Sequence, residues 1–90
     1  MDDLERYLAK QMRDPAFREE HERAKLEFAL TELLISARSQ QNLTQKELAA
    51  RSGVRQSNIS RIEQGETLPS LATLSKLAHG LGKKLQVSFV

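Results

Sequence analysis

Cysteine is absent from the chain, which excludes a disulfide framework and thiol chemistry and fits a reducing, cytoplasmic setting. Tryptophan is absent too, and aromatic residues make up only 4% of the sequence, too few to build a surface that stacks sugars or unpaired bases. No apolar run approaches the roughly 18 residues that a bilayer span requires, so no membrane partner is expected. Nor does an apolar stretch of the secretory type follow Met1-Asp2-Asp3. The two histidines, His21 and His79, lie far apart with no paired carboxylates at ligand spacing, so no metal and no cofactor is expected. His21 falls on an apolar stripe and reads as a core-edge residue, His79 as a surface residue near a helix end. Ser36 and Ser39 have no histidine at a meaningful interval, and there is no glycine-rich phosphate loop. These absences leave no enzyme to argue for. What remains is a 90-residue chain with 39% hydrophobic residues, enough for one small folded domain with a modest core.

Charge is unevenly placed. Residues 1–29 carry eight acids against six bases, net −2, and residues 30–90 carry eight bases against four acids, net +4. An acidic front and a basic back suggest two different partners, the basic part being a candidate for nucleic acid.

Helical periodicity runs through nearly the whole chain. Leu4, Leu8 and Met12, with Tyr7 alongside, share one face of a short first helix. Asp14-Pro15 reads as an N-cap followed by a proline at the first helical position. Two stripes follow, Phe17, His21, Ala24 and Phe28, then Leu26, Leu30, Leu33, Leu34 and Ala37, rotated from the first. The spacing fits one long helix to about residue 41 or two with a bend. Thr44-Gln45-Lys46-Glu47 matches a capping box, and Ser52-Gly53 ends the short helix that it opens. A further helix carries Ile59 and Ile62 inward and stops at Gly65. Ser70 caps another, with Leu71, Leu74, Leu77, Ala78 and Leu81 as its apolar face. The tail Leu85-Gln86-Val87-Ser88-Phe89-Val90 switches to strict alternation and reads as a strand, with Leu85, Val87 and Phe89 on one side. A lone strand has no partner for its backbone groups within the chain, so pairing across a homodimer is expected.

Two short helices around Gly53 are the parts of a helix-turn-helix. If Ile59 and Ile62 face inward, Gln56, Ser57, Ser60 and Arg61 lie on the open face of the second helix. Glutamine can bond adenine in two places and arginine can do so with guanine. Gln45, Lys46 and Arg55 are placed to hold phosphates. Thr44 and Asn58, beside them, complete the set of candidate DNA contacts. The same polar face would also serve as the solvated side of an ordinary bundle helix.

The segments Leu43-Thr44-Gln45-Lys46-Glu47-Leu48-Ala49, Ser52-Gly53-Val54, Ile59-Ser60-Arg61-Ile62-Glu63-Gln64-Gly65 and Pro69-Ser70-Leu71-Ala72-Thr73-Leu74 together resemble the Cro/C1-type (xenobiotic response element) helix-turn-helix family. The resemblance covers about residues 30–82. It implies an all-α, lambda-repressor-like bundle, operator contacts by Gln45, Gln56, Ser57 and Arg61, and a structural ion pair between Arg38 and Glu63. Arg55 departs from the pattern, standing where the family often has a capping Ser or Thr. An arginine there is a poor cap and its charge opposes the helix dipole, so a phosphate contact is its expected role.

The flanks extend the resemblance. Leu4-Glu5-Arg6-Tyr7-Leu8 and Arg13-Asp14-Pro15-Ala16-Phe17-Arg18 resemble the N-terminal extension of HigA-type antitoxins, whose toxins are small basic RelE/HigB-like mRNA interferases. An acidic front with Asp2, Asp3, Glu19, Glu20, Glu22 and Glu27 would complement such a partner. Leu4, Tyr7, Leu8, Phe17 and Glu20 are the candidate toxin contacts. The tail from Leu81 to Val87 is similar to that of HipB-type antitoxins, in which a final strand pairs across the dimer.

The organisation expected is therefore an N-terminal helical extension over residues 1–29, a helix-turn-helix domain over 30–82 and a dimerisation strand over 83–90. The function expected is an autoregulating repressor and antitoxin, acting as a homodimer on double-stranded operator DNA with an inverted repeat. A stand-alone repressor of phage or metabolic genes and a helical protein-binding adaptor are the alternatives.

Overall fold

The computed structural model describes residues 2–90 and contains five helices: α1 Asp3–Gln11, α2 Pro15–Gln40, α3 Gln45–Ser52, α4 Gln56–Glu63 and α5 Leu71–Gly80. Local chemistry sets most of their starts. The Asp2 carboxylate accepts from the Glu5 amide at 2.7 Å, and that of Asp14 accepts from Ala16 at 2.9 Å, with Pro15 opening α2. At α3 the Thr44 hydroxyl accepts from the Glu47 amide at 3.0 Å while the Glu47 carboxylate accepts from Thr44 N–H at 3.1 Å. These bonds hold the Glu47 carboxyl below the ordinary glutamate value, the backbone bond to Thr44 contributing most. Ser70 accepts from the Thr73 amide at 3.1 Å.

α2 is a single helix of 26 residues, about 39 Å long at 1.5 Å per residue. Beyond Pro15 it contains neither proline nor glycine and is rich in Ala, Leu, Glu and Arg, so nothing in it forces a break. Its two stripes serve different ends. In the front stripe Phe17 and His21 are half-buried and stack on one another, with ring centroids 6.1 Å apart. In the rear stripe only Leu34 is buried, Leu30 and Ala37 are half-buried, and Leu26 and Leu33 are 71% and 63% exposed. α2 ends where Asn42 adopts a left-handed φ of 56°, a conformation that its short polar side chain tolerates.

The core comprises Leu34, Leu43, Leu48, Val54, Ile59, Ile62, Leu77 and Leu81, with Ala37 and Ala49 packed against it. α3 and α5 cross closely because Gly80 has no side chain. A Cβ there would lie 2.8 Å from the Ser52 Cβ and 3.0 Å from its backbone. Gln41 ties the end of α2 to the end of α5, its amide donating to the Leu81 carbonyl at 2.8 Å.

The expected C-terminal strand is not formed. Residues 83–90, including Leu85, Val87 and Phe89, are exposed and irregular, and among the described residues there is no strand. An extended segment needs a ladder partner, and the single chain offers none. The alternation of the tail therefore does not support a dimerisation strand. Leu71, expected on the apolar face of α5, is likewise exposed, the core being met by Leu77 and Leu81. Among the described residues no helix is long and apolar enough to cross a membrane, and no group of three acidic or histidine side chains could hold a metal ion.

Candidate nucleic-acid interface

The helix-turn-helix is built around one left-handed residue. Gly53 has φ 76° and its amide donates to the Ala49 carbonyl, closing α3. The Ser52 hydroxyl accepts from the Val54 amide at 3.1 Å, and Val54 is buried. This turn sends α4 across α3 with Ile59 and Ile62 fully inward. At 3.6 residues per turn, Gln56, Ser57 and Arg61 are thereby left exposed and Asn58 and Ser60 half-buried. Ser60 accepts from the Gln64 side chain at 3.2 Å. Arg55 is exposed and occupies the N-cap position of α4 without a side-chain capping bond. Lys46 and Thr44 are exposed at the start of α3.

Behind this face lies a polar clamp. Arg38 Nε and Nη2 each donate at 2.8 Å to the two oxygens of Glu63, and Arg38 Nη1 donates to the Leu43 carbonyl at 2.8 Å. The pair is largely withdrawn from solvent, at 18% side-chain exposure for Arg38 and 6% for Glu63. Burial pushes the Glu63 carboxyl up, but the hydrogen bonds from Arg38 and Gln45 and the Arg38 charge outweigh it and hold the group below its ordinary value. The same bond raises the Arg38 guanidinium pKa. Gln45 is engaged in this clamp, its amide donating to Glu63 Oε1 at 3.1 Å. That bond leaves its carbonyl oxygen and second amide proton free, and it joins the start of α3 to the end of α4. Sequence spacing carried no sign of it, since the partners are 18 residues apart. The Gly80–Ser52 crossing was equally silent.

The candidate toxin contacts are scattered along the front. Leu4 and Tyr7 are exposed on α1, Leu8 is half-buried, and no residue of α1 is buried. Phe17 stacks on His21, and Glu20 is exposed on the first part of α2.

A short helix, a left-handed glycine turn and a second short helix with an open polar face define the helix-turn-helix class of DNA-binding folds. Residues 34–87 match the Helix-turn-helix family model. An uncharacterized HTH-type transcriptional regulator of Haemophilus influenzae is 46% identical over 69 residues, which cover 77% of this chain and 70% of that protein. Antitoxin HigA1 of Mycobacterium tuberculosis is 37% identical over 87 residues, 96% of this chain and 58% of the antitoxin, so the chain spans little more than half of that relative. No solved structure matches. The chain belongs to the Cro/C1-type helix-turn-helix family of transcriptional regulators.

Proposed function

We propose that this protein is a sequence-specific DNA-binding repressor that also acts as the antitoxin of a toxin–antitoxin pair. In this reading α4 enters the major groove, with Gln56, Ser57, Ser60 and Arg61 at base edges and Thr44, Gln45, Lys46, Arg55 and Asn58 along the backbone. α1 and the exposed part of α2 hold a small basic mRNA interferase. The observation that carries the antitoxin role is the extent of the HigA1 similarity. It runs over 96% of the chain and therefore takes in the front helices, whereas the family model begins only at residue 34.

The front has the chemistry for a basic partner. Leu4, Tyr7, Leu26 and Phe28 are exposed apolar groups among carboxylates. Glu27, Glu32 and Glu66 border a crevice of about 500 Å³ between α2 and the loop after α4, with Phe28 and Leu68 beside them. Two copies of α4 are needed to reach successive major-groove faces, roughly 34 Å apart, on an inverted repeat. The groove of about 290 Å³ lined by Leu30, Leu33, Leu74 and Leu85 is the surface on which the copies would meet.

Growth after induction of the neighbouring small reading frame tests the reading. The full chain is expected to relieve arrest, and a Leu4→Asp, Tyr7→Asp double variant to fail while still binding DNA. Arg61→Ala is expected to do the converse, keeping relief but weakening operator binding by about 1–3 kcal/mol in a gel-shift titration. No arrest with any neighbour would leave a regulator without a toxin.

A further inference from the structure

Next to the recognition face lies a recess that joins four of the DNA contacts expected from sequence to two residues of α5 that were not among them. It has a volume of about 380 Å³ and is lined by Arg55, Ser57, Asn58 and Arg61 from the turn and α4, and by Thr73 and Lys76 from α5. Every charged group on its wall is a cation. None of the three is paired, since the ion pairs among the described residues are Lys25–Glu22 and Arg38–Glu63. Its floor is the start of α4, where no side chain caps the helix; the Asn58 amide donates to the Arg55 carbonyl at 3.0 Å, which leaves the Ser57 amide open to an anion on this wall. On the α5 side, the Thr73 hydroxyl oxygen accepts from Ser70 at 3.1 Å, which leaves the Thr73 proton free to donate outward.

We infer that this recess seats a phosphate of the DNA backbone, with Lys76 and Thr73 as contacts, so that α5 is part of the DNA footprint. The inference rests on the DNA-binding reading. Ser57 and Arg61 belong both to the recess and to the exposed face of α4. A strand whose bases meet that face therefore runs its backbone past the recess, where three unopposed cations and the open Ser57 amide converge. The one apolar side chain on the wall, Val54, is buried in the core and gives a peptide little to grip, while the polar groups match a tetrahedral anion presented in series along a backbone. Lys76 fixes position here and Arg61 reads sequence.

The test is the salt dependence of binding to a DNA duplex of about 24 base pairs and arbitrary sequence, followed by fluorescence anisotropy. Each phosphate contact contributes about 0.9 to the slope of log affinity against log salt. Lys76→Ala is expected to lower the slope by about that amount and to weaken binding several-fold at low salt, with Lys76→Arg close to the parent. Lys76 is exposed on a helix and alanine is the better helix former, so the variant is expected to fold, with circular dichroism as the check. Lys10→Ala, an exposed lysine of α1 outside the recess, serves as the control for loss of one charge and is expected to leave the slope unchanged. A parental slope in Lys76→Ala, or an equal fall in Lys10→Ala, would overturn the phosphate seat and leave the DNA-binding reading standing. A wild-type chain that bound no duplex at any salt would overturn both.

Discussion

The stretch before Leu34 and the stretch from Leu34 to Leu81 are both mainly helical but are held together differently. Not one described residue before Leu34 is buried, whereas all eight core side chains come from the second stretch. α1 and the first half of α2 rest on caps from Asp2 and Asp14, the Phe17–His21 stack and the Glu22–Lys25 pair, each worth a few tenths to about 1 kcal/mol. The later helices are short, and helices of eight to ten residues are not stable in water by themselves, so interlocking around Leu48, Ile59, Ile62 and Leu77 must hold them. The front of α2 is kept helical by its own sequence and by continuity with its packed rear part, and the apolar groups of the front are left uncovered. The second stretch spends its apolar groups on itself and presents polar ones.

The largest test of this contrast is a matched pair of truncations. Ile59→Ala should lower stability by about 3 kcal/mol, because the cavity opens at a fully enclosed site. Leu26→Ala should change it by less than about 0.5 kcal/mol, both read from urea unfolding. A comparable loss at Leu26 would mean that the front is packed in solution.

A smaller effect is expected at the clamp. Glu63→Ala leaves Arg38 without its partner and should remove about 2–3 kcal/mol, less than for a fully buried pair because Arg38 keeps some solvent contact. The clamp also sets an acid limit. The folded carboxyl titrates below its unfolded value, so its contribution is complete above about pH 4.3 and is lost as pH falls through the folded value. Acid unfolding of Glu63→Gln should accordingly lose part of that dependence. An unchanged acid profile would place the sensitivity elsewhere.

The smallest effect belongs to the front. Asp14→Ala should cost the start of α2 about 1 kcal/mol, seen as roughly fivefold faster amide exchange in its first turns with the exchange of Ile59 and Ile62 unaltered. Faster exchange at Ile59 or Ile62 would couple the two regions more tightly than their burial implies.

Local signals were legible in the sequence because they act within a few residues. The caps at Asp14, Thr44 and Ser70, the glycine turn at Gly53 and the inward spacing of Ile59 and Ile62 all lie within one helical turn of what they control. Partners distant in sequence were not legible: Gln45 on Glu63, Gln41 on Leu81, Gly80 against Ser52 and Lys76 beside Arg55. The tail misled for a physical reason. Alternation reports which side chains could share a face, but a strand exists only where another backbone completes its ladder. The apolar stripe of α2 was legible as a face but its covering was not, since periodicity names a face without saying whether anything packs on it, and Leu26 and Leu33 are bare.

The unbroken course of α2 has a mechanical consequence. A flexible tether would let a guest at the front wander through a broad volume relative to the groove-reading end. A continuous rod would instead give the proposed partner a fixed bearing and a fixed reach, because the helix that begins at Pro15 ends in the residues that brace Glu63. Cargo on this lever arm is either clear of a bound duplex or in its way, so the bulk and outline of the cargo, rather than any change in the recognition residues, would decide whether both can be carried at once.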